Sequence, residues 1–244
     1  MFNEILTIAE GTWRRILRMR EVYFLIASVL IIIGNMANYD ILMMGEHQML
    51  MIDVSLVLNS IAAVLTAISI TFEIHKELRE GVVSTLLAKP LGRTRYLVGK
   101  IVGISVTGFI ITGIIMLGFI FIYWLSFGEK VMPSMIQGHV LIMASMIPMA
   151  ALAVFFAVTF NEGFSALLTV IAIWICFSTA NITGAKYLYG GILPDLNFFN
   201  LKSAAVYDVS IHWYYILLCI VWGVAYSFFI TSISSLIFQY RDLK

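Results

Sequence analysis

Residues Glu73 to Lys100, EIHKELREGVVSTLLAKPLGRTRYLVGK, carry nine charged side chains and lie between two long apolar runs. Charge this dense in so apolar a chain belongs where the polypeptide faces water and meets another molecule. The stretch therefore reads as a docking segment at a membrane surface, and the runs on either side read as the helices that it moves.

Composition supports that reading. The chain is 61% hydrophobic and 12% charged over 244 residues, with a mean hydropathy of +0.97, whereas ordinary soluble domains are about 45–50% apolar and about 25% charged. This predicts an all-α polytopic membrane protein. About six stretches are long enough for a helix of about 20 residues to cross a hydrocarbon core of about 30 Å, which leaves no segment for a soluble catalytic domain. The net charge of +1 identifies no partner. Cys176 and Cys219 both fall inside apolar runs and read as small buried hydrophobes.

Working outward, the chain is expected to form one transmembrane domain over 1–244. Residues 2–20 lack the apolar core and cleavage site of a signal peptide. Their Ile5, Ile8, Trp13, Ile16 and Leu17 gather opposite Arg14, Arg15 and Arg18, which predicts an interfacial amphipathic helix. Spans are expected at about 22–36, 54–72, 96–125, 138–160, 164–182 and 213–238. A polar loop holding Asp40, Glu46, His47 and Asp53 should precede the second, and a mixed outer stretch at 183–212, holding the breakers Gly190, Gly191 and Pro194, should precede the last. With both termini inside, the cytoplasmic side collects 12 of the 15 lysines and arginines, leaving Lys130, Lys186 and Lys202 outside. That asymmetry places residues 73–96 in the cytoplasm.

Within the docking segment Leu78, Val82 and Leu86 recur every four residues beside Val83 and Leu87, an apolar stripe for a short helix lying across the ends of the spans. Pro90 and Gly92 end it. The succession Glu80-Gly81, Leu86-Leu87, Pro90, Arg93, Gly99-Lys100 and Gly103 resembles permease subunits of ABC transporters of the type-2 exporter superfamily. The basic amphipathic start, the six-span layout, the short turn at Asn161-Glu162-Gly163 and the stretch Leu193 to Asn200 extend the resemblance over essentially the whole chain. No Walker motif is present.

The resemblance implies a non-catalytic subunit of an exporter in the inner or plasma membrane of a prokaryote. The coupling helix would map onto about 73–88 and rest on a separate ABC-type ATPase, two copies of which bind the ATP and Mg. It makes Glu73, Lys76, Glu77, Arg79, Glu80 and Gly81 coupling residues, together with Ser84, Leu87, Pro90 and Arg93. Asn161 and Glu162 would form a second contact, and the outer stretch at 183–212 would be re-entrant. A second permease copy, by default a homodimer, and membrane lipids complete the expected partners, with no nucleic acid among them. The cargo is expected to be apolar or lipid-like, because no span offers a charged pocket.

Three further features bear on function. Asn59 either lines a pathway or bonds a neighbouring helix, a bond that model membrane systems value at roughly 0.6–2 kcal/mol. Met143, Met146 and Met149 fall three apart and Met43, Met44, Met49 and Met51 crowd the loop before the second span. Soft thioethers suit copper(I), which raises a permease assisting assembly of an extracytoplasmic copper enzyme. Methionine is also ordinary packing, and no metal site is expected. His47, His75, His139 and His212 are scattered without a zinc spacing, and the span centres lack the ionisable pairs that an embedded hydrolase or an ion-driven secondary transporter would use.

Overall fold

The computed structural model describes residues 2–36, 47–83, 92–178 and 193–240. Ser84, Leu87 and Pro90 of the expected coupling stretch lie outside these residues, as do Asp40, Glu46, Met43, Met44, Lys186, Gly190, Gly191 and the positions from Arg241 onward. All the regular structure described is helical. In chain order the helices are α1 (Phe2–Leu17), α2 (Arg20–Met36), α3 (His47–Arg79), α4 (Arg93–Phe127), α5 (Pro133–Thr159), α6 (Glu162–Ser178), a 3-10 turn (Leu196–Phe199), α7 (Lys202–Val206) and α8 (Trp213–Gln239). Among the described residues four helices, α3, α4, α5 and α8, are long and apolar enough to cross a membrane. The protein is an integral membrane protein.

The helix of the expected second span, α3, departs from expectation at both ends. It starts at His47 and runs 33 residues to Arg79, about 50 Å at about 1.5 Å per residue, so His47 and Asp53 are helical. No glycine or proline interrupts 47–79, and the acidic residues near its end are neutralised inside the protein, so nothing forces the helix to stop at the apolar boundary. The next helix, α4, is slightly longer at 35 residues and closes on Gly128, whose φ of 66° lets its N–H return to the Trp124 carbonyl.

Helix α5 is the central element, packed against α3, α4, α6, α8 and α7. Pro133 stands at its first turn, where a missing N–H costs nothing, while Pro148 sits in its interior without ending the helix. The ring fits because Gly223 of α8 lies opposite; a Cβ there would come 3.2 Å from the Pro148 ring. The methionine triplet serves the same packing. Met146 fills the notch at Gly108 and Met143 approaches Gly113, both on α4, and Met149 is buried. The sulfurs of Met146 and Met143 thus occupy separate positions along the α4–α5 seam.

The amino-terminal helix lies along α4. Gly99 and Gly103 permit this: a Cβ at Gly99 would stand 2.7 Å from the Ile8 Cβ, and one at Gly103 would stand 2.7 Å from the Thr12 Cβ and 2.9 Å from the Ala9 carbonyl. Such a small-xxx-small pair lets two backbones approach closely. The buried face of α1 is consequently Ala9, Thr12 and Ile16, while Arg14 and Arg18 remain exposed.

Residues 193–212 fold back on the bundle as short helical pieces. Asp195 caps the 3-10 turn through the Asn197 N–H, and Leu196, Phe199 and Ala205 are buried against α5, α6 and α3. Gln137 of α5 holds the far end with two bonds, donating to the Ile211 carbonyl (2.6 Å) and accepting from the Ile211 N–H (2.9 Å).

Candidate functional site

The charges at the end of α3 divide between inside and outside. Four residues apart, Glu73 and Glu77 project from one face of the helix toward Tyr96 and Lys100, which share the same spacing on α4. Lys100 is 2% exposed and donates to Glu73 Oε1 and Glu77 Oε1, each at 2.7 Å. Tyr96 donates to Glu77 Oε2 at 2.7 Å. Arg15 of α1 donates to Glu77 Oε1 at 2.9 Å and lies 3.8 Å from Glu73 Oε1. Two cations thus balance two carboxylates, and the cluster ties α1, α3 and α4 at one level. Taking charges out of water carries a large cost that only close geometry offsets. The Glu73 Oε2 atom has no hydrogen-bond partner among the described residues, so one acceptor stays unsatisfied inside the cluster.

Outward from this cluster lie Lys76, Arg79 and Glu80, all exposed. Lys76 and Glu80 approach to 3.9 Å. Arg79 pairs with Glu162 at the start of α6, and the His75 ring, facing the Thr71 carbonyl through Nδ1 (2.7 Å), reaches the Phe160 carbonyl through Nε2 (2.9 Å). Thus the end of α3 and the α5–α6 turn, 83 residues apart in sequence, form one surface. Asn161 is exposed in that turn, and its carbonyl accepts from the Ser165 N–H. Gly81 ends the regular stretch with φ of 69°, a left-handed conformation in which glycine carries no steric penalty.

Arg93 is placed differently from the other expected coupling residues. It donates to the Phe238 and Gln239 carbonyls (2.6 and 2.8 Å) at the end of α8 and lies over the Phe238 ring, so it serves as a cap for a helix terminus. Phe238 in turn stacks on Tyr96. Glu73 and Glu77 likewise belong to the interior, so of the expected coupling residues that are described, Lys76, Arg79, Glu80 and Gly81 with Asn161 and Glu162 form the outer surface.

Asn59 is fully buried. Its Nδ2 lies 2.9 Å from His139 Nδ1, and the other ring nitrogen of His139 lies 3.4 Å from Ser55 Oγ. The pair joins α3 to α5, with the imidazole against the Phe119 ring. Asn59 therefore forms a bond between two helices. Sequence reading leaves His139 unassigned, because nothing local links it to a residue 80 positions earlier.

A half-open groove of about 420 Å³ runs between α3, α5 and α6 and reaches the 199–202 segment. Its walls are aliphatic and aromatic side chains, including Ile61, Leu65, Trp174 and Phe177. Pockets of this size and apolarity hold small molecules.

Taken together, the chain has long apolar helices, a buried ion cluster at one end, a charged surface built from two distant segments, and an apolar groove in the bundle wall. No curated protein matches it. Over residues 24–199 it matches the family described as "Multidrug efflux system permease Rv1217c, C-terminal domain", and that match covers most of the bundle. The chain belongs to this family of transport permeases.

Proposed function

We propose that the chain is the membrane subunit of an ATP-driven exporter of the type-2 ABC class. It is non-catalytic and moves an apolar or amphipathic compound out of the cytoplasm or the inner leaflet. ATP and Mg reside in a separate ATPase present in two copies, matched by two copies of this permease. In this reading α2, α3, α4, α5, α6 and α8 are the six spans, both termini and the Lys100 end face the cytoplasm of a prokaryotic cell, and the whole chain is one transmembrane domain.

One observation carries the reading. The exposed surface of Lys76, Arg79, Glu80, Gly81, Asn161 and Glu162 is continuous with the buried cluster of Glu73, Glu77, Lys100, Tyr96 and Arg15. A partner that pushes on this surface moves α3, α5 and α6 directly and, through Lys100 and Arg15, α4 and α1. Packed helices and buried ion pairs transmit such a push because they hold discrete arrangements and deform little between them. The family's description as a multidrug efflux permease supports outward transport.

The test is co-purification of the tagged chain from its native membrane in mild detergent. An ABC-type ATPase should accompany it at stoichiometric level and be lost on Glu80→Lys or Gly81→Val, while the permease itself stays in the membrane. A chain that arrives alone under conditions preserving other membrane complexes removes the ATP-driven reading and favours an ion-driven carrier.

A further inference from the structure

The groove between α3, α5 and α6 is polar at one end only. Along α3 it is lined from Leu56 to Ile68, about 18 Å at about 1.5 Å per residue, which is more than half of a hydrocarbon core of about 30 Å. Two hydroxyls occur within this length, and both are occupied by their own helices: Ser60 donates to the Leu56 carbonyl (2.8 Å) and Ser145 to the Ile142 carbonyl (2.7 Å). Among the described residues neither hydroxyl is left to donate to a ligand, and the Trp174 indole is the other polar group along this length. At the α3 amino-terminal end the lining changes to Asn200 and Lys202. Lys202 is the one charged residue in the lining among the described residues. Its ammonium, 39% exposed on the side chain, meets Asp53 Oδ1 at 3.0 Å, which uses one of its three donors.

From this polarity we propose that the groove binds a single amphiphile, its hydrocarbon body along α3 and α6 and an anionic head on Lys202, in competition with Asp53. The assignment rests on the reading of the chain as an export permease and names the class of compound that it selects: an elongated apolar molecule ending in one carboxylate or comparably compact anion. An apolar compound without the anion would gain the same hydrophobic contact but would leave the Lys202–Asp53 pair as it is. A zwitterionic or cationic head would gain less from Lys202 than an anion does. Charge-assisted hydrogen bonds of this kind contribute selectivity beyond area burial.

Trp174 lies in the groove wall and supplies the readout. The full chain, in phosphatidylcholine nanodiscs without any ATPase, is titrated with stearate brominated at mid-chain, which quenches nearby tryptophan fluorescence; Trp174→Phe protein gives the background. Saturable quenching that disappears in Trp174→Phe is expected, with affinity about tenfold weaker in Lys202→Gln. The methyl ester of the same probe should bind both proteins equally weakly, and Asp53→Asn should tighten binding of the acid by freeing the ammonium. Quenching that does not saturate above that background, saturable quenching that persists in Trp174→Phe, or saturable quenching that is the same for acid and ester overturns the assignment. If Lys202→Gln does not fold, the opposite-signed effect of Asp53→Asn decides the matter. Saturable binding without ATP-dependent export keeps the groove assignment and removes the exporter reading; ATP-dependent export without it does the reverse.

Discussion

Replacing Lys100 by methionine tests whether the buried cluster holds the bundle together. Lys100 is 2% exposed and is the shared donor to Glu73 and Glu77. In the wild-type cluster Arg15 and Lys100 balance the two carboxylates. The Lys100→Met variant keeps an unbranched side chain one atom shorter but leaves two buried carboxylates facing Arg15 alone, which is itself partly exposed. Breaking a buried pair by removing one partner costs about 3–5 kcal/mol, because the remaining charge stays desolvated. For chains of 150–250 residues about 2–4 °C of midpoint accompanies each kcal/mol, so the unfolding midpoint should fall by about 6–20 °C. Intrinsic tryptophan fluorescence during heating in one fixed detergent measures it. The triple variant Glu73→Gln, Glu77→Gln, Lys100→Met has no buried charge left uncompensated and should recover a large part of the loss. A single variant melting within about 2 °C of wild type, or a triple variant less stable than the single, would refute the reasoning.

The other predictions concern separate contacts. Gly99→Leu with Gly103→Val should detach α1 from α4, since added Cβ atoms meet backbone as well as side chains at both positions; faster trypsin cleavage at Arg14 and Arg18 is the measurement, and unchanged cleavage counts against the seam. Asn59→Ala should destabilise the protein by about 0.6–2 kcal/mol through loss of its bond to His139, with a smaller penalty in a background already carrying His139→Phe, as a double-mutant thermal series would reveal. Arg79→Glu should hardly alter the melting midpoint, because an exposed pair contributes about 0–1 kcal/mol, yet it should weaken ATPase association; Glu162→Arg in the same chain should restore it. Gln137→Leu should raise hydrogen exchange at the Ile211 amide, which in the wild type donates to the Gln137 side chain, and protection equal to wild type would contradict the anchoring role.

The all-helical, membrane-embedded class was legible in the sequence, since apolar run length and the clustering of charge reflect the cost of burying polar groups in hydrocarbon residue by residue. The charge-dense stretch between α3 and α4 was found for the same reason. Its internal division was not. Glu73 and Glu80 look alike in one dimension, and only the approach of α4 makes the first a buried ion and the second a surface charge. The matching four-residue spacings of Glu73 with Glu77 and of Tyr96 with Lys100 were a signal available in advance, but spacing alone does not say that two helices face each other there.

The sequence by itself determined that the chain is an apolar helical protein with a charge-dense stretch between two long apolar runs, because helix period, breaker residues and hydropathy act locally. The tertiary structure alone decided that His139 partners Asn59, that Glu162 joins Arg79, that Arg93 caps α8, and that Lys202 stands at the mouth of a groove. Each of these depends on side chains tens of residues apart reaching hydrogen-bond or van der Waals distance, and those forces extend only a few ångströms. Nothing short of the packed bundle fixes which distant residues come that close.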